Sequence, residues 1–223
     1  MKEIILAFDF DGTLYPIHEY DSEETLIMLG AGTDKEKEMR DELYRSVRRG
    51  EDPLIFEKGL VKLMKGKDIS LIEKTAEKLW RQSSSEMLSP VRKMAALTNT
   101  KFYVLSCGTV DIIRSFLEKA GLLDDTDGII GKEFVNTPVP YTNFIWHIRN
   151  GHDKAEALRK IKESNPEALV IAVGDGITDG PMLKVADAAY VMEWPGAKHV
   201  DLPYPHISSY EGLLEEVLSL SGR

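Results

Sequence analysis

Two aspartates stand on alternate positions in "FDFDGTLY" (residues 8–15), directly after the apolar run Ile4-Ile5-Leu6-Ala7. A core has no use for Asp9 and Asp11 at the end of a buried strand, because an uncompensated charge in low dielectric costs several kcal/mol or more. Further acids follow in "GDGITD", where Asp175 closes an apolar run and Asp179 lies near a helix start. Ser106 ends a third run in "VLSCGT", followed by the small residues Cys107 and Gly108, and "GHDKAEALRKI" places Lys154 in the first turn of a helix. Carboxylates converging on one rim would repel by about 4 kcal/mol per pair at ~4 Å and an effective dielectric near ~20. A divalent cation removes that conflict. Oxygen donors without a His or Cys cluster point to a hard ion, and Mg²⁺ is the expected cofactor because it works with phosphates. Lys154 suits a phosphoryl oxygen and would also neutralise Asp9. Ser106 supplies a hydroxyl, and the small residues after it open backbone N–H groups to phosphate oxygens. Taken singly, each of these stretches reads as a turn, a cap or a solvated lysine; all four together point to phosphoryl transfer.

The elements that must position these residues read as a parallel sheet. Ile4 to Phe8, Phe102 to Leu105 and Leu169 to Val173 are short apolar runs of the kind buried on both faces, and Ala188 to Met192 is a weaker fourth. The first three lead into polar or small residues and then a helical pattern, as βα units do. In such sheets ligands bind beyond the carboxyl ends of the strands. Between the first strand and the second, Asp21 to Leu29, Asp34 to Arg49, Pro53 to Lys65 and Ser70 to Arg81 carry helical periodicity. A crossover needs only a dozen or more residues, so this stretch is an inserted helical subdomain. Its charges, Glu23, Lys35, Glu38, Arg40 and Glu42 among them, read as a solvated face. Thr33 with Glu36 and Ser70 with Glu73 read as capping boxes, Ser89-Pro90 as an N-cap and first helical residue, and Gly121 as the stop of a helix from Val110 to Ala120. Residues 122–152 read as a loop with a short strand. The expected fold is a doubly wound, Rossmann-like α/β core of residues 1–17 and 87–223, with a helical cap of residues 18–86.

With 223 residues the chain is long enough to bury roughly 70% of its unfolded surface. A single cysteine rules out an internal disulfide framework. The formal net charge of −9 argues against nucleic acid or an anionic membrane as the main partner, although a bound metal can reverse the field locally for an anionic substrate. Only five apolar residues separate Glu3 from Asp9, so neither a signal peptide nor a membrane span is expected. The expectation is a cytoplasmic protein, monomeric or homodimeric, acting on a small phosphorylated metabolite.

The set "DFDGT", "SCGT", Lys154 and "GDGITD" resembles the four motifs of the haloacid-dehalogenase superfamily of phosphohydrolases, over nearly the whole chain. "FEKGLVKLMKG" and "VLSCGTVDIIRSFLEKAGL" resemble the phosphoserine-phosphatase-like branch. The resemblance implies Asp9 as the nucleophile that forms an aspartyl-phosphate and Asp11 as the general acid and base. It implies a metal held by Asp9, the Asp11 carbonyl and Asp175, with Asp179 anchoring a metal-bound water. Ser106 and Lys154, helped by Cys107 and Gly108, would hold the phosphoryl oxygens, and Tyr20 and Phe56 would line the cap side. Two positions depart from that branch. Leu63 stands where its phosphatases carry a substrate-binding arginine, and Tyr20 where they carry a glutamate. Phosphoserine is therefore not the expected substrate. Tyr15, Leu63, Arg45, Arg48, Arg49, His147 and His152 are lesser candidates whose ordinary reading is core, helix end or surface. The same core also serves phosphotransferases and mutases. A receiver-like signalling domain is the rival of another class, disfavoured by the insertion and by the Asp9/Asp11 alternation.

Overall fold

The computed structural model describes residues 2–49 and 53–220. Its centre is β1 (Ile4–Phe8), five apolar residues that are all fully buried. Side chains alternate across a strand, so Ile4, Leu6 and Phe8 enter one core while Ile5 and Ala7 enter the other. β1 pairs in parallel with β2 (Thr100–Thr109) on one edge and β5 (Leu169–Gly174) on the other. Among the described residues the sheet has seven strands in the order β4-β3-β2-β1-β5-β6-β7, with β3 (Gly128–Val135), β4 (Asn143–Trp146), β6 (Ala188–Met192) and β7 (His206–Ile207). Every pairing is parallel except β3 with β4.

The insertion after β1 comprises α1 (Ser22–Gly30), α2 (Asp34–Arg48), α3 (Pro53–Met64) and α4 (Ser70–Gln82). It is followed by α5 (Ser89–Ala95), α6 (Val110–Ala120), α7 (Gly151–Glu163), α8 (Gly180–Leu183) and α9 (Glu211–Leu220). α5, α6 and α9 cover the Phe8 face, while Leu158 of α7 and Met182 and Leu183 of α8 cover the Ala7 face. Helices on both faces make this a doubly wound α/β fold. The insertion rests on α6, where Trp80 meets Phe116 edge-on with centroids 5.8 Å apart. Phe116 is fully buried, which contributes about 1.5–3 kcal/mol, while Trp80 is partly buried against it.

Several local expectations hold. Thr33 and Glu36 form their reciprocal cap, and Gly121 ends α6 in the left-handed region at φ 64°. Others are corrected. Ser70 does not cap α4; Asp68, two residues earlier, accepts from the Ser70 N–H, and a tight turn through Ile69 leads into the helix. Ser89 is already helical, without a side-chain cap, because a turn from Ser84 to Leu88 has begun the coil. α1 is capped by Asp21, whose carboxylate accepts from Glu24 N while Glu24 reaches back to Asp21 N. Residues 122–152 hold two strands rather than one. β3 extends the parallel sheet and β4 folds back on it, their aromatic residues Phe134 and Phe144 stacked at 4.5 Å.

Candidate active site

The site is built where β1 and β5 end. Asp9 N still donates to Val173 O, so the first carboxylate is held in the ladder, and the chain then turns back through Gly12 N to Tyr15 O. Gly12 takes φ +79°, and a Cβ there would lie 2.0 Å from Asp175 Oδ2. Only glycine lets Asp175 press against this turn. Thr13 O behind it accepts from Trp194 Nε1 and the Tyr210 hydroxyl, which fixes the turn from the other side. Lys154 enters from the start of α7, whose cap is Asn150. Its Nζ lies 2.8 Å from Asp9 Oδ1 and donates to Asp179 Oδ1 at 2.6 Å. The other Asp179 oxygen accepts from the backbone N–H groups of Asp175 and Gly176. Asp9, Lys154 and Asp179 are all buried.

One lysine cannot neutralise this cluster. Burial, then the Asp179 charge, pushes the Asp9 carboxyl up to about 6 against the pull of Lys154. Burial, then Asp9 and Asp179, pushes Asp175 up to about 7. Burial alone would lower Lys154, but Asp9 and Asp179 raise it, so it stays an ammonium. One oxygen from each of Asp9, Asp175 and Asp179 lies within 4.8 Å of the others. These are hard oxygen donors with unmet negative charge, which fits Mg²⁺.

Asp11 faces the insertion. Its two oxygens accept from the backbone N–H and the hydroxyl of Ser22, the first residue of α1, at 2.8 and 2.7 Å. Burial, then Asp21, raises its carboxyl well above the usual range. Ser106, near the end of β2, is buried, and its Oγ accepts from Gly108 N at 3.0 Å. A Cβ on Gly108 would meet both Asp11 Oδ2 and Ser106 Oγ at 3.2 Å, so those two groups flank the same glycine. Burial pushes the neighbouring Cys107 thiol up to about 11, which makes it a small filler rather than a reactive thiolate.

These residues line a cavity of about 590 Å³ whose remaining wall comes largely from the insertion: Asp21, Glu23, Glu24, Ser46, Phe56 and Glu57. The solvated-face reading fails for Glu23. It is buried, accepts from Thr109 Oγ1 at 2.5 Å, and pairs with Lys132 Nζ at 2.8 Å. Lys132, on β3 and 3% exposed, also pairs with Glu57. Burial, then Glu23, pushes Glu57 up to about 7, and Glu57 Oε2 is buried with no hydrogen-bond partner among the described residues. No spacing signals Lys132 in the sequence, since it lies in the stretch read as a loop. Arg149 and Asn150 join the wall from the start of α7.

Of the candidate residues, Asp9, Asp11, Ser106, Cys107, Gly108, Lys154, Asp175 and Phe56 all line this cavity, and Asp179 lies directly behind Lys154. Tyr20 does not line it; the ring stacks on Tyr44 within the insertion, 5.7 Å centroid to centroid. Leu63 is buried core and Tyr15 packs on Phe10. Arg45 and Arg49 pair with Glu42 at the surface, and the Arg48 side chain lies outside the described residues. His147 lies 3.7 Å from Glu133, and His152 is exposed. No helix among the described residues is long and apolar enough to cross a membrane.

The family model for haloacid dehalogenase-like hydrolases matches residues 6–184, which carry every residue of this rim. A glucosyl-3-phosphoglycerate/mannosyl-3-phosphoglycerate phosphatase from Methanococcoides burtonii is 36% identical over 58 residues, 24% of this chain and 21% of that protein. The match thus spans about a fifth of the relative's length. Among solved structures, a substrate-bound phosphoserine phosphatase aligns over 99% of both chains with a TM-score of 0.62 and 22% identity. A HAD family hydrolase from Salmonella enterica serovar Typhi aligns over 96% of this chain and 71% of its own, with a TM-score of 0.67 and 21% identity. Both structures share the fold.

Proposed function

The chain belongs to the haloacid dehalogenase-like hydrolase family, and from that premise we propose that it is a Mg²⁺-dependent phosphatase of small phosphomonoesters. The observation that carries the reading is the buried rim on which Lys154 binds Asp9 and Asp179 while Asp11 stands apart on Ser22. Asp9 is the nucleophile: its free oxygen attacks phosphorus, and the bond to the leaving oxygen breaks. Asp11, held in reach of the protonated form by burial, gives its proton to that oxygen and later takes one from the water that splits the aspartyl-phosphate. The phosphoryl oxygens are held by Lys154, by the hydroxyl of Ser106 and by the N–H groups around Gly108. Asp9, Asp175 and the Asp11 carbonyl would hold Mg²⁺, with Asp179 positioning Lys154 beside them. When bound, the ion supplies the positive charge that lets carboxylate and phosphate approach.

Residues 18–86 act as the cap, closing the cavity over the leaving group and excluding water from the first step. The wall facing that group carries four acids, Asp21, Glu23, Glu24 and Glu57, against Lys132 and Arg149. Lys132 is already committed to two carboxylates and Leu63 offers no cation, which leaves Arg149, its guanidinium over the Trp146 ring, to face the four acids. The wall therefore favours a leaving group that donates hydrogen bonds, an ammonium or hydroxyls, over one that carries a carboxylate.

Phosphate release from a panel of phosphomonoesters, with Mg²⁺ and with excess chelator, tests this reading. Mg²⁺-dependent release is expected, poorly supported by Ca²⁺, whose longer bonds and higher coordination number suit the rim less well. Full activity in excess chelator would overturn it, and phosphoserine preferred over every other monoester would overturn the reading of the wall. A long-lived phosphoryl group on an aspartate other than Asp9 would restore the receiver reading.

A further inference from the structure

The outer strand pair of the sheet holds a second cluster unlike the carboxylate rim. Glu193 follows β6, His206 opens β7, and His199 comes from the loop between them. Val191 N donates to Pro205 O and Glu193 N to Ile207 O, so the backbone on both sides of the cluster is fixed. His199 Nδ1 and His206 Nδ1 lie 2.9 and 2.7 Å from the same oxygen, Glu193 Oε2. The two rings stack with centroids 5.0 Å apart and planes 26° from parallel. One donor atom from each of the three residues falls within 4.8 Å of the others.

Two imidazole nitrogens and a carboxylate oxygen are a borderline donor set, suited to zinc-like ions rather than to Mg²⁺. Both Nδ1 atoms converge on one carboxylate oxygen, so a single cation can take a lone pair from each ring and from Glu193. We propose that Glu193, His199 and His206 form a second metal site, for a divalent transition ion of the Zn²⁺ class, with water completing its coordination. The ion would clamp the loop of residues 193–206 to the β6–β7 pair. That loop carries Trp194, whose Nε1 supports Thr13 O behind the Gly12 turn and whose ring meets Tyr210. The site thus braces the support of the catalytic turn without touching the rim.

Equilibrium dialysis of Zn²⁺ against the full chain, in a large excess of Mg²⁺ to occupy the carboxylate rim, tests the proposal. One Zn²⁺ per chain should be retained. His199→Ala and His206→Ala should each weaken retention at least as much as the ~10–100-fold that loss of an outer-shell partner costs a metal site. Both side chains reach solvent, at 64% and 27% exposure, so neither change opens the core. Asp175→Asn should retain Zn²⁺ as the parent does. Failure to retain Zn²⁺ in Mg²⁺, equal retention by the histidine variants, or loss in Asp175→Asn would overturn the site. None of these outcomes bears on whether the rim hydrolyses phosphomonoesters.

Discussion

Two buried lysines face one cavity, and each is held between two carboxylates. Lys154 of α7 lies between Asp9 and Asp179 where β1 and β5 end, whereas Lys132 on β3 lies between Glu23 of α1 and Glu57 of α3. The first trio is surrounded by further acids, Asp175 above all, so its negative charge is left unbalanced, as the proposed cation site requires. The second trio joins the insertion to the sheet through side chains alone. A buried pair of this kind is weak evidence for net stability, but breaking it leaves uncompensated charge. The first trio belongs to the rim proposed to carry the chemistry, and the second ties the insertion to the sheet beside it.

The largest effect is expected from breaking the first trio at Asp9, the proposed nucleophile. Asp9→Asn keeps size and most contacts, yet turnover should fall on the order of 10⁴-fold or more, as for other lost nucleophiles. Intact-mass analysis after rapid quench should find no phosphoryl adduct, and an adduct on this variant would remove Asp9 from the reaction. Asp11→Asn should cost ~10²–10⁴-fold in steady-state rate. With an activated aryl phosphate, whose leaving group needs little protonation, this variant should accumulate the phospho-protein; undiminished turnover would reassign the acid.

Breaking the second trio should act first on stability. Lys132→Met strands Glu23 and Glu57, and urea unfolding should report a loss of about 3–5 kcal/mol. Adding Glu23→Gln and Glu57→Gln should restore part of it, because the stranded charges are then gone. A Lys132→Met protein as stable as the parent would deny the trio its role as a tie between insertion and sheet. The smallest effect sharpens the reading of the wall. Glu57→Gln should reduce kcat/KM for ammonium-bearing monoesters by about fivefold or more, equivalent to the ~1 kcal/mol of one unmet polar partner, and leave carboxylate-bearing ones unchanged or improved. An equal loss on both classes would show that Glu57 does not read the leaving group.

The two trios also differ in how far they were legible. Asp9 with Asp11, Ser106, Lys154 and Asp175 each end a strand or open a helix, so residue type, apolar run and turn chemistry coincide within a few positions. Lys132 is separated from Glu57 by 75 residues and from Glu23 by 109, and nothing local marks any of the three. Glu23 follows an N-cap at the position where acids normally meet solvent, and only the approach of β2 and β3 buries it. The false caps at Ser70 and Ser89 have a smaller version of the same cause, since a neighbouring turn took over a job that the sequence pattern allots to serine.

The sequence by itself determined the parallel core, the helical insertion and the identity of the rim, because strand burial, helix stops and paired acids are local demands of backbone and solvation. Tertiary structure decided the far wall of the cavity, Phe56 apart. Tyr20 packs on Tyr44 instead of lining it, Leu63 withdraws into the core, and Glu23, Glu57 and Lys132 meet there. It likewise brought His199 and His206 onto Glu193, because the pairing of β7 with β6 joins positions that sequence order keeps apart. Charges buried at long range are satisfied by whichever partner the packing of separate elements brings near, and that is a property of the folded chain rather than of any stretch of it.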